Sequence, residues 1–318
     1  MPDSEPMTRS LTEVLDAHRA WVEDIPTGVQ AVFHSVRLAR VDLRDANLRG
    51  ARFRAVSLRN ACFERADLTG AVFIECDFAD SDLSEADLTG AEIRSSLFQR
   101  ANLAKASFNE VTADKTSFGE SNLSGSRFLD AGLLHCDFGK AVLQAAVLQH
   151  ARIFDCDFSD ANLESVMFSH ARARLCRFER ASAVEGNFSY GVVEMSNFAG
   201  ARLSAARFVR TSLDGTSFLD ADLRNANLRE SKLRRGVFTH SVLEGAKFGD
   251  ASLAGADMRG ANMKGAREFT ARQLSEARTG SETVLPSGRT GVFLKGSGSE
   301  RPAPPSWARR MPEDPPAD

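Results

Sequence analysis

Large apolar residues recur at every fifth position through most of the chain. The series begins at Phe33 and reaches Met263 without an insertion, and nearly all of its members are Leu, Phe, Ile, Val or Met. Two residues before each lies a second series, from Ala31 to Ala266, which holds only Ala, Val, Ser, Thr, Cys or Gly. A repeat of five matches neither the helical period nor the strand period.

This repeat predicts short extended pieces that each end in a turn. The two inward-facing residues of a pentad are two positions apart, which is strand periodicity, and the other three are mostly polar. Phenylalanine recurs every 20 residues from Phe78 to Phe238, and leucine does so from Leu83 to Leu163. Four pentads therefore form one coil, and like side chains stack at the roughly 4.8 Å spacing of neighbouring strands. The predicted fold is an all-β solenoid with four-sided coils, about twelve of them at this spacing.

The repeated unit is similar to the A-(D/N)-L-x-x unit of the pentapeptide repeat family. Clear copies are Ala46-Asn47-Leu48, Ala66-Asp67-Leu68, Ala86-Asp87-Leu88, Ala101-Asn102-Leu103, Ala161-Asn162-Leu163 and Ala221-Asp222-Leu223. The resemblance covers residues 31–267 and implies a right-handed quadrilateral β-helix. It also implies two classes of function, because some members protect DNA gyrase or topoisomerase IV by mimicking duplex DNA while most have no established activity.

Both ends of such a solenoid need caps, since each exposes unpaired backbone. Ser10 to Glu13 reads as a capping box, so residues 1–30 are predicted to hold an N-terminal helix that ends near Pro26 and Gly28. A second capping box, from Thr270 to Gln273, predicts a C-terminal capping helix over residues 268–278. Residues 279–318 are rich in proline and are predicted to be a disordered tail, with Trp307 either loosely anchored or exposed.

Composition narrows the functional classes. The chain has 318 residues, is 42% hydrophobic and carries a formal net charge of -3. This charge gives no electrostatic reason to expect nucleic acid or an acidic membrane as a partner. The start of the chain lacks the blocks of a signal peptide, and no run of about 18 apolar residues occurs, so a cytoplasmic protein is expected.

Candidate chemistry is sparse. Cys76, Cys136, Cys156 and Cys176 belong to the small inward series. A zinc site or stacked disulfides are the alternatives, and small buried filler is the favoured interpretation. Cys62 lies one position off that series and is expected to be an exposed thiol. His150 and His170 should stack beside Tyr190, but they lack a third metal ligand. No motif of nucleophilic, metal or nucleotide chemistry appears, so no catalytic residue, cofactor or metal is expected.

Charge placement suggests one candidate surface. The rod is basic over residues 31–60, acidic over 61–164 and basic again over 165–267. Outer columns such as Asp80, Arg100, Glu120 and Lys140 alternate in sign and should form ion pairs between coils. A smaller acidic set is expected to stay unpaired and forms the candidate DNA-mimicking face: Asp67, Asp77, Asp82, Asp87, Asp137 and Asp157.

A second candidate surface is apolar. Four large side chains occupy outward positions on successive coils of one side, namely Leu134, Phe154, Leu175 and Met195. Isolated outward apolar residues are ordinary, but a strip of them is typical of a docking site for a partner or for a second copy. The favoured hypothesis is a non-enzymatic scaffold that binds an unidentified protein, with a homodimer left open. The alternative is a DNA mimic that binds a type II topoisomerase and protects or inhibits it.

Overall fold

The five-residue repeat winds the chain into coils of 20 residues. The computed structural model describes residues 10–303, and the elements that follow are those of this range. Helix α1 (Leu11–Val22) precedes the coils and helix α2 (Ala271–Glu276) follows them. Nine short strands lie between the helices: β1 (Val32–His34), β2 (Arg52–Arg54), β3 (Val72–Ile74), β4 (Glu92–Arg94), β5 (Thr112–Asp114), β6 (Gly132–Leu134), β7 (Arg152–Phe154), β8 (Arg172–Arg174) and β9 (Val192–Glu194).

All nine strands pair in parallel, in sequence order, and form one side of the solenoid. Each residue pairs with the one 20 positions later, as Phe33 does with Phe53. The other three sides are joined by single bridges in the same register, which continues past β9 as far as Lys247 and Arg267. The predicted β-solenoid with four pentads per coil is therefore confirmed. We call the side that carries β1–β9 the strand face.

The two inward series form the core. Their members are almost all buried, including Phe78, Phe98 and the later phenylalanines of the same column. Adjacent rings stack nearly parallel, with centroids 4.6 Å apart for Phe78 and Phe98 and 4.4 Å apart for Phe178 and Phe198. Burying each such side chain contributes roughly 1.5–3 kcal/mol, and offset stacking adds to it. Since a shift of one residue would turn these rings outward, the core itself maintains the register.

Every corner of a coil uses a residue in the left-handed region. At a typical corner the N–H of Ala61 donates to the carbonyl of Leu58 at 3.1 Å, and Asn60 has a φ of 56°. Positive φ recurs at each fifth position from Ser35 to Gly265. None of these residues is Val, Ile or Thr, because a β-branched side chain crowds the left-handed backbone.

The corner that follows the strand face is built differently. At three of these corners a polar side chain from the next coil accepts the corner N–H, and the inward column there is Cys, Ser or Thr from Cys76 to Ser196, after valine at Val36 and Val56. The bonds are Cys76 N–H to Ser96 Oγ (3.1 Å), Cys136 N–H to Cys156 Sγ (3.3 Å) and Cys176 N–H to Ser196 Oγ (3.2 Å). These cysteines are free and buried, as predicted, but they also satisfy backbone groups, which the filler interpretation missed.

Helix α1 covers the first coil. It begins with the predicted capping box, in which Ser10 and Glu13 each accept the other's backbone N–H. It ends at Val22, earlier than the predicted Pro26 to Gly28. Gly28 folds back against the helix so closely that a Cβ there would lie 2.2 Å from the backbone nitrogen of Trp21. Only glycine fits this approach.

The buried His18 joins this helix to the solenoid. Its Nδ1 accepts the N–H of Ala31 at 3.0 Å, and its ring stacks on Trp21 with centroids 5.3 Å apart. Burial lowers the pKa of His18, although the backbone carbonyl of Arg49 opposes part of that shift. The ring is therefore neutral when it accepts this bond.

Helix α2 closes the other end, as predicted. Thr270 and Gln273 form the second capping box. The side-chain amide of Gln273 donates to the carbonyls of Phe248 and Ala251 at 2.8 and 2.9 Å. Phe269 stacks on Phe248 with centroids 4.3 Å apart. The helix thus pairs the last carbonyls of the coil instead of leaving them exposed.

The predicted disordered tail over residues 279–318 is wrong for residues 279–303. This segment continues the ladder, because Val284 N–H donates to the Ala261 carbonyl at 2.9 Å and the Val284 carbonyl accepts from Met263 at 2.8 Å. The side chains of Leu285 and Phe293 are buried over the final coil. Proline content did not indicate disorder here, because Pro286 lies at a turn where no backbone N–H is needed. The rest of the predicted tail, including Trp307, lies outside the described residues.

Candidate protein-docking face

The strand face holds two of the four predicted docking residues. Leu134 on β6 and Phe154 on β7 are register partners, and both point to solvent. Leu175 and Met195 occupy the corner beside β8 and β9 on the next two coils. The exposed fractions run from 39% for Leu134 to 47% for Met195, so none of the four is drawn into the core. We call these four residues the apolar strip; it crosses four coils, about 15 Å at the spacing of strands.

A depression of about 530 Å³ lies next to the strip on the strand face. Gly132 and Thr112 form its floor because they are small residues in an outward column. Leu134 and Phe154 line it on one side, and Arg152 projects from the coil below Gly132. The sequence analysis found the strip but missed the depression, for which the glycine at an outward strand position was the available signal.

The structure does not bring the six candidate acidic residues onto one face. Register places Asp67 and Asp87 in one column, Asp82 in a second column, and Asp77, Asp137 and Asp157 in a third column. Each column belongs to a different side of the coil. Duplex DNA presents continuous rows of phosphates, whereas these carboxylates form separated groups of one or two neighbours.

Several of these carboxylates are also paired, contrary to expectation. Asp77 contacts Arg59 at 3.0 Å, Asp157 contacts Arg177 at 2.8 Å, and Asp67 lies 4.0 Å from Arg49. Burial of Asp157 opposes its ionisation, but hydrogen bonds from Ser159 and Arg177 outweigh it and lower the pKa of Asp157. Arg177 is the register neighbour of Asp157 on the next coil, whereas Arg59 and Arg49 each lie 18 residues before their carboxylate and outside its column.

All six of these carboxylates also have a local structural role. Each accepts the backbone N–H two residues later, as Asp137 does from Gly139 at 2.8 Å and Asp87 from Thr89 at 2.9 Å. This contact stabilises the turn that ends the pentad. The remaining members make the same contact: Asp67, Asp77, Asp82 and Asp157.

The predicted ion pairs between coils are present in part. Asp80 pairs with Arg100, but among residues 10–303 neither Glu120 nor Lys140 lies within 4.0 Å of an opposite charge. Three arginines each donate two hydrogen bonds to one carboxylate: Arg65 to Asp45, Arg100 to Asp80 and Arg180 to Asp160. Lys105 donates to Glu85 at 3.0 Å. The hydrogen bond from Arg100 lowers the pKa of Asp80, and that from Arg180 lowers the pKa of Asp160. These pairs neutralise the carboxylates locally, so the paired carboxylates do not contribute to an acidic face.

The outer aromatic column stacks as predicted. Ring centroids are 5.0 Å apart for His150 and His170 and 5.2 Å apart for His170 and Tyr190. Arg210 lies over Tyr190 at 5.9 Å from the ring centroid and pairs with Glu230 at 2.6 Å. Within residues 10–303 no group of three His, Cys, Asp or Glu side chains could hold a metal ion.

The repeat region matches a known family model. The model described as "Pentapeptide repeats (8 copies)" covers residues 31–180, 196–235 and 237–267, well over half of the chain. The chain belongs to the pentapeptide repeat family. No curated protein sequence is significantly similar to it.

Several solved pentapeptide repeat structures are similar to this one. HetL, involved in heterocyst differentiation in the cyanobacterium Nostoc sp. strain PCC 7120, is 20% identical over 89% of this chain and 99% of its own, with a TM-score of 0.31. QnrB1, a plasmid-mediated fluoroquinolone resistance protein, is 18% identical over 77% of this chain and 98% of its own, with a TM-score of 0.28. A protein of the Arabidopsis thaliana thylakoid lumen is 23% identical over 36% of this chain and 79% of its own, with a TM-score of 0.32. Family membership therefore rests on the repeat model and on the coil geometry.

Proposed function

We propose that this pentapeptide repeat protein is a non-enzymatic scaffold that binds a protein partner through its strand face. The observation that carries the proposal is the apolar strip, four large side chains left exposed on consecutive coils, two on the parallel strands and two at the adjoining corner. The depression beside Gly132 adds concave shape to this surface. Exposed apolar residues that cluster beside a depression are typical of protein interfaces.

The strip has a matched control elsewhere on the rod. Leu97 is exposed to the same degree, 41%, but it stands in the column between Asp77 and Ser117 with no second large apolar side chain beside it. If partner binding depended only on overall surface hydrophobicity, Leu97→Ser would weaken it as much as one substitution in the strip. Site-specific docking would affect only the strip variant.

Affinity capture with tagged full-length protein tests the proposal. We expect the wild type and Leu97→Ser to retain the same partner from an extract of the source cells, and the double variant Leu134→Ser, Phe154→Ser to lose it. Mass spectrometry identifies the partner, and titration with purified components then measures its affinity for each variant. Circular dichroism checks that each variant is folded. Equal retention by the strip variant and the control would contradict the proposal.

The second candidate function is DNA mimicry directed at a type II topoisomerase. The acidic balance of residues 61–164 favours it, together with the adjacent pairs Asp67 with Asp87 and Asp137 with Asp157. The division of these residues among three sides and their ion pairs weaken it. We therefore rank it below the scaffold function.

A further inference from the structure

Two neighbouring arginines on the strand face have no carboxylate partner in the part of the chain that the structure describes. Arg152 and Arg172 are register partners on β7 and β8, so their outward side chains start about one strand spacing apart. Among residues 10–303 no Asp or Glu oxygen lies within 4.0 Å of either side chain, whereas Arg94 pairs with Glu92 and Arg174 with Glu194. Like charges directly opposite each other destabilise a sheet. Fold stability therefore gives no reason for this pair.

Backbone conformation does not explain why the residue one coil before Arg152 is glycine. Gly132 has ordinary extended geometry, and a Cβ built on it would meet nothing closer than the carbonyl oxygen of Val111 at 3.9 Å. A larger residue would fit and would suit a strand better, since glycine weakens strands. The absence of a side chain at this position keeps the depression open between Thr112 and Arg152.

Together these features define the chemistry of an occupant. The depression of about 530 Å³ accommodates one aromatic or large aliphatic side chain, which Leu134 and Phe154 would contact. Arg152 and Arg172, one and two coils from Gly132, provide paired donors for a carboxylate, which arginine binds with two parallel hydrogen bonds. The carboxylate of Asp114 also lines the depression, but it contacts His135 at 3.1 Å and neither of these arginines. The occupant is therefore apolar at one point and negatively charged a few ångströms beyond it.

We propose that the depression and the arginine pair bind an acidic peptide segment of the partner, with a large apolar side chain seated over Gly132 and carboxylates on Arg152 and Arg172. This inference rests on the proposed scaffold function and specifies the class of partner. A single-stranded nucleic acid would satisfy the arginines and stack a base on Phe154, but such ligands are bound on a series of aromatic side chains along a basic groove. This depression has one aromatic residue, and its other apolar lining is aliphatic.

The test uses a fluorescein-labelled peptide in which one Phe is flanked on each side by Asp-Glu pairs, titrated into the full-length protein by fluorescence anisotropy. We expect saturable binding that weakens with added salt. Peptides with Ala for the Phe, or with Asn and Gln for the acids, should each bind about tenfold more weakly, which is 1.4 kcal/mol. A labelled oligothymidylate should not bind.

Three protein variants separate site binding from folding. Gly132→Val fills the depression, and Arg172→Ala removes one of the paired charges; each should weaken peptide binding about tenfold. Both should leave the melting temperature unchanged or raised, because one adds strand propensity and the other relieves repulsion. Arg52→Ala is the control, since Arg52 lies in the same outward column, four coils from Gly132 and six from Arg172.

No binding by the wild type, equal weakening by Arg52→Ala, or oligothymidylate binding that competes with the peptide would overturn this inference. None of these results would affect strip-dependent capture of the whole partner, so failure here is distinguishable from failure of the proposed scaffold function.

Discussion

Residues at the corners of the coils carry a conformational cost. Ala145, for example, has a φ of 55° although its side chain makes no turn-stabilising hydrogen bond. The left-handed region costs a non-glycine residue roughly 1–2 kcal/mol, and glycine avoids this cost. Ten of the corner positions already use glycine, including Gly125 directly above Ala145.

We therefore expect Ala145→Gly to raise the free energy of unfolding by about 0.5 kcal/mol or more, since relief of the left-handed strain exceeds the entropy gained by the unfolded chain. Denaturant titration measures the change. Ala145→Val should lower the free energy of unfolding, because a β-branched residue fits this backbone worst. The opposite order of the two variants would contradict the turn geometry.

The inward cysteines provide a second test at the level of single residues. Burial raises the pKa of the Cys76 thiol to about 11 and that of the Cys176 thiol to about 12, so both are protonated at neutral pH. Cys156 accepts the N–H of Cys136 and donates to the carbonyls of Leu133 and Phe154. Its role is that of a hydrogen-bonding group inside the wall of the coil.

Cys156→Ala should lower the free energy of unfolding by about 1–2 kcal/mol, since the N–H of Cys136 loses its acceptor inside the core. Cys156→Ser should lower it by less, because Ser96 and Ser196 already play this part in the same column. Thermal unfolding followed by circular dichroism compares the two. A serine variant less stable than the alanine variant would show that apolar filling, not hydrogen bonding, governs this column.

Among the elements, helix α1 depends on a neutral histidine. The folded state lowers the pKa of His18 below its ordinary value of 6.5 because the ring is buried, so the unfolded chain binds a proton more readily. The stability that depends on the neutral ring is complete above about pH 6.5 and decreases as the pH falls below this value, by at most about 1.4 kcal/mol per pH unit.

We expect the melting temperature of the wild type to fall as the pH is lowered from about 6.5 to 5.5, a window that starts at the ordinary pKa of histidine. His18→Asn should show a flatter profile, since its side-chain oxygen can accept the N–H of Ala31 but does not titrate. Differential scanning calorimetry across this window measures both. The carboxylates with lowered pKa values, such as Asp80, titrate at lower pH. Identical slopes for both proteins would exclude His18 as the cause.

At the scale of the whole molecule, the solenoid requires both ends to be covered. Leu285 is buried over the last coil, whereas Leu294, nine residues later, is 68% exposed. Leu285→Asp should lower the free energy of unfolding by about 3 kcal/mol or more, because it places a carboxylate in an apolar contact. Leu294→Asp should change it by less than about 0.5 kcal/mol. Urea titration compares them, and equal effects would show that residues 279–303 do not act as a cap.

The distribution of charge over the rod predicts how a topoisomerase responds. Because the acidic residues lie on three sides and are partly paired, we expect no inhibition of gyrase supercoiling and no relief of quinolone inhibition by the purified protein. A supercoiling assay over a range of salt measures this. Salt-sensitive inhibition that Asp137→Asn and Asp157→Asn abolish would instead support DNA mimicry. Asparagine keeps the turn contact at both positions, so these variants remove only charge.

The sequence by itself determined the β-solenoid, the four-sided coil, the inward column of phenylalanines and both capping boxes. These features are local and repeated, so each pentad predicts its own turn and each interval of 20 residues predicts its neighbour. The exposure of Leu134 and Phe154 followed from the same alternation, because residues next to an inward position in a strand point outward.

Only the tertiary structure decided which polar groups meet. The pairing of Asp77 with Arg59 and the packing of Leu285 on the last coil join parts of the chain whose contact the repeat does not encode. The repeat places Cys136 beside Cys156, but only the structure shows that the N–H of Cys136 donates to the sulfur of Cys156. The depression over Gly132 likewise depends on side chains of neighbouring coils. A repeat specifies where the backbone goes, but the reach and direction of side chains determine where a surface is paired, open or covered.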